Sequence, residues 1–335
     1  MNDARPTENS RLADGYAGKQ VLVTGALGFV GSRLIAALAQ ADCRIIRVVR
    51  RPAPRASAPH PRTRDLVGDI RERATWQRAM KDVDVVFHLA AQTGASAADA
   101  NPAGDFETNV LPLLHILEAC RREGMRPTVL FAGTVTEAGL AERLPVDECM
   151  ADRPLTTYDA NKLMAENHLK RAAGEGWVRG ATLRLANVYG PGPEGSNSER
   201  GVLNRMIRKA LAGEPLTIYG NGRFLRDYLY VDDAALAFLL AATRIEELNG
   251  QHFVIGTGRG HTIEQCFRLV ARHVEAKTGR QVTVSHVAPP AALTPLESRS
   301  FVADSSRFIG RTGWRAACTL PEGLDRTIEA YSCVS

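Results

Sequence analysis

The chain has 335 residues, 44% of them hydrophobic and 24% charged, with 42 lysines and arginines against 37 aspartates and glutamates and a formal net charge of +5. These proportions exclude a wholly disordered chain, a collagen-like repeat and a disulfide scaffold, and they leave ample apolar material for a substantial core. The basic residues are spread along the sequence without a long block, so no nucleic-acid partner is expected.

Residues 1–18 are polar and lack hydrophobic periodicity, which predicts a flexible N-terminal extension without the apolar segment of a signal peptide. From Lys19 onward a short β-rich run (21–24), a glycine turn, a helical stretch (29–41) and a second β-branched run (45–49) make a β-α-β unit. A proline-rich loop follows at 51–62. Further strands are predicted at 83–89, 128–132 and 181–185, with helices at 110–122 and 159–172 between them. Alternation of this kind predicts an α/β fold with a doubly wound parallel sheet. Beyond residue 190 the pattern becomes irregular: helices are expected at 202–212, 233–243 and 263–277 and short strands at 216–219 and 253–255, forming a smaller mixed α/β lobe. The six cysteines include no CxxC pair and no histidine stands at ligand spacing, so reduced thiols and no metal are expected. The longest purely apolar run, 234–242, is too short for a bilayer, which predicts no membrane partner and a cytoplasmic location.

Between the first strand and its helix, Gly25, Gly28 and Gly31 give a GxxGxxG spacing. Missing side chains there let the backbone approach a pyrophosphate, whose charge meets the helix N-terminus. A dinucleotide is therefore expected. An acidic residue at the end of the second strand would bind the ribose hydroxyls of NAD(H), but here Arg50 and Arg51 occupy that end and suit a 2′-phosphate, so NADP(H) is preferred with NAD(H) possible. Alternation points Arg47 elsewhere. Asp69 would meet the adenine edge or cap the next helix.

Tyr158 and Lys162 stand at i and i+4, neighbours on one helix face, where the ammonium lowers the phenol pKa and makes it a proton shuttle. Thr134 closes an earlier strand at the end where parallel sheets gather their ligands. Together the three would form a hydride-transfer site, with Thr134 and Tyr158 on a carbonyl or alcohol oxygen and Lys162 on the nicotinamide ribose.

With these residues in place, the sequence resembles the extended short-chain dehydrogenase/reductases, the NAD(P)-dependent epimerase/dehydratase family acting on nucleotide-diphosphate sugars. The matching segments are TGALGFVG (24–31), HLAA (88–91), Asn109, Thr134, the YxxxK pair, RLANVYGPG (184–192) and RDYLYVDD (226–233). The resemblance implies a Rossmann domain over 19–189, a sugar-nucleotide lobe over 190–335 with about 226–260 returning to the first domain, and a homodimer built on two helices per subunit. It further implies cofactor contacts from Phe29, Val30, Ile70, Leu89, Ala90, Ala91, Asn109 and Leu185. Substrate contacts would come from Gln92, Thr93, Thr136, Asn187, Val202, Leu203 and Thr217, with Tyr219 on the nucleobase, Arg226 on the pyrophosphate and Arg299 replacing an arginine absent at Thr294.

Departures from the family pattern narrow the chemistry. Sugar 4,6-dehydratases follow the strand-end threonine with Asp-Glu, and here Val135 and Thr136 cannot do that work. Epimerase-reductases of the GDP-fucose synthase type carry a cysteine where Thr136 stands. The segments 129–139, 200–220 and 254–262 are similar to NDP-hexose 4-ketoreductases, so NADPH-dependent reduction of a 4-keto-deoxyhexose nucleotide is the expected function. An NAD-dependent 4-epimerase is the alternative, and a catalytically silent NADP-binding regulator a third reading. His88 and the tryptophans are expected to pack, Asp147 and Glu148 to lie in a solvated loop, and residues 92–107 to face the sugar.

Overall fold

The computed structural model of the protein describes residues 12–51, 61–193, 201–289 and 298–333. Its frame is a seven-stranded sheet in the order β3-β2-β1-β4-β5-β6-β10, every neighbouring pair parallel. The strands are β1 (Gln20–Thr24), β2 (Arg44–Val49), β3 (Thr63–Val67), β4 (Val85–His88), β5 (Thr128–Thr134), β6 (Arg179–Leu185) and β10 (Gln251–Ile255). All five residues of β1 are buried, as a central strand covered on both faces requires. The order reverses between β1 and β4, and in open α/β sheets ligands bind beyond the strand ends at such a point.

Helices α1 (Phe29–Leu38) and α8 (Val231–Thr243) share one core with one face of the sheet, including Leu34, Phe87 and Phe238. On the other face α2 (Arg73–Ala79), α5 (Leu111–Glu123) and α6 (Thr157–Gly174) pack through Trp76, Ile116 and Leu169. Two short helices, α3 (Ala95–Ala100) and α4 (Pro102–Asn109), bridge from the end of β4 to α5. A third core belongs to the C-terminal lobe. It joins β8 (Leu216–Tyr219), β9 (Leu225–Tyr230), α7 (Val202–Leu211), α10 (Ile263–Thr278) and α12 (Leu320–Ser332). There β9 lies between β7 (Asn187–Tyr189) and β11 (Gly260–Thr262), and β8 pairs with β12 (Val284–Val287). Two further short helices are α9 (Ile245–Leu248) and α11 (Ser306–Thr312).

Several expectations need correction. Residues 12–18 are not a trailing extension, because Tyr16 is 1% exposed, packs on Phe87 and donates its hydroxyl to the Leu239 carbonyl at 2.8 Å. The N-terminal segment thereby ties α8 to the sheet. Residues 1–11, most of the proline-rich stretch and Thr294 lie outside the described residues. Glu148 is not a solvated loop residue: its carboxylate accepts the Val254 main-chain N–H at 2.8 Å, on the edge strand of the large sheet. Trp76 and Trp314 are buried, Trp177 stacks under Arg121, and all six cysteines are free.

Candidate active site

The glycine turn has the shape a dinucleotide needs. Gly25 adopts φ +65°, and a Cβ on it would lie 2.8 Å from the Ala90 nitrogen. A Cβ on Gly31 would lie 2.1 Å from the Gly25 carbonyl oxygen, so α1 can meet β1 this closely only with glycine there. Gly28 caps α1 without a side-chain hydrogen bond and the first turn carries no acid, leaving the helix N-terminus open to an anion. Thr24 braces the facing strand end: its hydroxyl accepts the Leu89 and Ala90 N–H groups at 3.2 and 3.1 Å and lies 2.8 Å from Nδ1 of His88. His88 is packed, as expected, and burial followed by the charge of Lys162 lowers its pKa to about 3. These surfaces fit a nicotinamide dinucleotide, which when bound supplies hydride exchange at a carbon.

At the end of β2, Arg50 and Arg51 are exposed. Arg47 instead points into the protein, 2% exposed, and pairs with Asp65 of β3 at 2.7 Å. Asp69 does not cap α2, whose N-cap is Glu72. The Arg71 guanidinium clasps the Asp69 carboxylate at 2.6 Å and holds its pKa below the usual range. Ile70 carries the carbonyl that accepts the Trp76 indole N–H at 2.6 Å.

Thr134 ends β5 and opens a single 3-10 turn, Val135–Ala138. Its hydroxyl is 3.0 Å from that of Thr136, which in turn donates to Asp159. Thr136, expected to meet substrate, thus braces Thr134 in this structure. Thr156 caps α6, so Tyr158 and Lys162 enter from its first turns. The expected lowering of the Tyr158 pKa by Lys162 is not what the structure gives: burial raises it, the charges of Glu137, Asp159 and Asp105 raise it further, and only a hydrogen bond with Thr134 works the other way. Lys162 is 2% exposed, with Nζ 4.2 Å above the Phe131 ring. Burial lowers its pKa, while Glu137 and then Asp105 favour its charged form.

Two buried carboxylates near this relay were missed by sequence reasoning. Asp105 accepts the Asn109 and Asn161 side-chain amides, each at 2.8 Å, and Asn109 also donates to the Gln92 carbonyl at 3.0 Å. The Gln92 turn is thereby tied to α6. Glu137 accepts the Thr134 N–H at 2.9 Å and lies 3.0 Å from Arg184, which also binds Asp152 and Glu166. The available signal was Arg184 itself, a cation between apolar neighbours inside a central strand.

On the lobe side, Arg226 donates to the Arg299 carbonyl, and both guanidinium groups have pKa values lowered by burial. Nη1 of Arg299 is buried and finds no hydrogen-bond acceptor among the described residues, and the Asp159 charge acts on it, which brings these arginines to the side of the relay. Neighbouring acids are engaged elsewhere, Asp227 by Thr257, Gly258 and Ala303 and Asp232 by Arg33. Tyr219 is 52% exposed, which removes core packing as its use. Asn187 and Val202 are exposed, Thr217 is half-buried, and Leu203 is buried in the lobe core. Ala91, Gln92 and Leu185 are half-buried at strand ends, with Thr93 exposed beside them, and Phe29 and Val30 open α1 half-buried.

A family profile described as "NAD dependent epimerase/dehydratase family" matches residues 21–256. The chain belongs to that family. A UDP-glucose 4-epimerase of Azospirillum brasilense is 31% identical over 313 residues, 89% of this chain and 87% of that one. A GDP-6-deoxy-D-mannose reductase of Pseudomonas aeruginosa is 29% identical over 315 residues, 91% and 95% of the two chains. Among solved structures, UDP-glucose 4-epimerase of Thermotoga maritima with UDP-glucose superposes with a TM-score of 0.83 at 29% identity, covering 94% of this chain and 99% of that one. The epimerase/dehydratase family thus supplies the Rossmann-like fold and NAD(P)-dependent sugar-nucleotide chemistry. Among the described residues no helix is long and apolar enough to cross a membrane.

Proposed function

We propose that the chain is an NAD-dependent 4-epimerase of a nucleotide-diphosphate hexose, the alternative rather than the leading expectation of the sequence. The observation that carries the C4 chemistry is the placement of Thr134, Tyr158 and Lys162 at the end of β5, with Val135 and Thr136 where dehydration would need acids. Epimerase relatives support inversion over net reduction. In the oxidative half, Tyr158 takes the proton of the C4 hydroxyl, Thr134 holds that oxygen and Lys162 binds the ribose of the cofactor. The same groups run in reverse when C4 is reduced. Arg226 and Arg299 hold the pyrophosphate and Tyr219 the nucleobase.

Arg50 and Arg51 favour a second reading, an NADPH-consuming 4-ketoreductase. Cofactor extraction from the protein as purified separates the two. The epimerase carries bound NAD. A cofactor-free protein that turns over a 4-keto sugar nucleotide only with added NADPH would replace it with the reductase. In either form we place the contact of a homodimer on the outer face of α6, where Met164 is 42% exposed beside Ala160, Leu163 and His168.

A further inference from the structure

The segment that follows β4 carries two carboxylates that reach α6. Asp99 of α3 accepts the Thr157 N–H at 2.9 Å, and Oδ2 of Asp105 on α4 accepts the Asn161 side-chain amide at 2.8 Å. Thr157 opens α6, and Asn161 stands between Tyr158 and Lys162 along it. Asp105 is 2% exposed, and its Oδ1 accepts the amide of Asn109, one turn further along α4, at 2.8 Å. Each carboxylate oxygen thus meets an N–H group, as a buried carboxyl requires.

Asn109 has two amide hydrogens and both are committed, one to Asp105 and the other to the Gln92 carbonyl at 3.0 Å. This decides which way the amide faces. Turned over, its oxygen would stand against a carboxylate and a carbonyl, neither of which carries a hydrogen to give. In the orientation it holds, Oδ1 of Asn109 is buried without a hydrogen-bond partner among the described residues, so the orientation is imposed by Asp105 and Gln92 and not by the amide's own oxygen. Gln92 then closes its own turn, donating its side-chain amide to the Gly94 carbonyl at 2.8 Å and accepting the Gly94 N–H. Helices α3 and α4 have six and eight residues, too few to hold this turn by their own stability. The turn is held instead by a chain of contacts through Asn109, Asp105 and Asn161 to the helix that carries Tyr158 and Lys162.

We propose that Asp105 is a positioning residue for the C4 chemistry: it latches the turn that faces the sugar onto α6 and so sets the placement of the hexose against the relay. This role rests on the C4 reading of the site. In that reading the nucleotide is held from the lobe by Arg226, Arg299 and Tyr219, so loosening the latch displaces the sugar and spares the nucleotide.

Asp105→Ala leaves both amides without their acceptor. Turnover of UDP-glucose should fall about tenfold to a hundredfold, the effect of a misplacement near 1 Å, while the inhibition constant of UDP stays within about twofold of wild type. A variant that is only less stable keeps wild-type turnover below its thermal midpoint. Folded Asp105→Ala with wild-type turnover, or with turnover and UDP affinity lost together, overturns the proposal. Should Asp105→Ala fail to fold, exchanging the two partners carries the test. Asn161→Asp sets two acids face to face, and adding Asp105→Asn restores one acid and one amide, with an acceptor again for the Asn109 amide. The double variant should turn over at least about tenfold faster than Asn161→Asp alone, and no recovery overturns the proposal. Wild-type protein without turnover fails the C4 reading instead, and the latch is then read by NMR in the protein alone. The Asn109 and Asn161 side-chain amide protons should exchange at least about tenfold faster in Asp105→Ala, and unchanged exchange overturns the latch.

Discussion

Replacing Gly31 by Ala tests the glycine turn at its tightest point. The new methyl would lie 2.1 Å from the Gly25 carbonyl oxygen, 2.8 Å from its carbon and 2.9 Å from the Ala26 Cα. All three neighbours are backbone, and none can rotate away. Gly25 is itself held from behind, since its own Cα faces the Ala90 nitrogen and Leu89 carbonyl without room for a Cβ. The strain must therefore be relieved by moving α1 away from β1, roughly 1 Å if ordinary carbon–oxygen contact is to be restored. Overpacking of this kind costs about 1–3 kcal/mol, and rigid neighbours on both sides place Gly31→Ala near 3 kcal/mol. A chain of this size would lose on the order of 5 °C in thermal midpoint. The displaced helix N-terminus also loses aim at an anion, and one charge-assisted hydrogen bond is worth about 1.5–3 kcal/mol, so NAD affinity should fall roughly tenfold to a hundredfold. Thermal unfolding and fluorescence titration with NAD measure both quantities. Gly174→Ala, at the end of α6 with nothing within 4 Å, serves as the control. A Gly31→Ala protein with wild-type midpoint and affinity would refute the assignment of the turn.

Tyr158→Phe should lower turnover by about 10²–10⁴-fold with little change in thermal midpoint, because it removes a proton donor and no core volume; steady-state kinetics beside a thermal melt checks it. Arg184→Met should cost about 3–5 kcal/mol in denaturant unfolding, since Glu137 and Glu166 are left buried without their common cation. His88 gives a pH signature: its folded pKa is depressed to about 3, so its contribution is present above the unfolded value of about 6.5 and is lost as pH falls below it. By pH 5 that loss reaches about 2 kcal/mol, and the slope of stability against pH should fall by one proton in His88→Gln. Replacing Arg50 and Arg51 together by Ser should weaken NADPH selectively if they meet a 2′-phosphate; equal loss for NADH would show that they do not.

The sheet and the relay were legible because their signals are local. Buried β-branched runs, glycines 25, 28 and 31, and the i, i+4 spacing of Tyr158 and Lys162 all lie within single elements or turns. Residues whose role depends on distant partners were not legible. Arg184 meets Glu166, Asp152 and Glu137 only because β5, β6 and α6 pack together, and each charge alone reads as an exposed residue. Tyr16 was assigned to an extension because its anchor, the Leu239 carbonyl, is 223 residues away. Glu148 looked solvated for the same reason, its partner being an edge-strand N–H supplied by Val254. Asp69 shows the opposite limit: position offered the adenine edge or, as the alternative, a helix cap, and the cap is not made, because Arg71 two residues on offered a stronger partner. The choice between inversion and net reduction does not follow from the relay residues, because one set of groups serves both directions.

Turnover followed by NMR tests the central claim most directly. The protein as purified is incubated with UDP-glucose, and separately with UDP-galactose, without added reductant, while the C4 configuration and NAD(P)H absorbance are followed together. The account predicts approach to one equilibrium mixture of C4 epimers from both sides with no net consumption of cofactor, abolished in Tyr158→Phe. Unchanged sugars with UDP-, dTDP- and GDP-linked hexoses and with their 4-keto derivatives would contradict it.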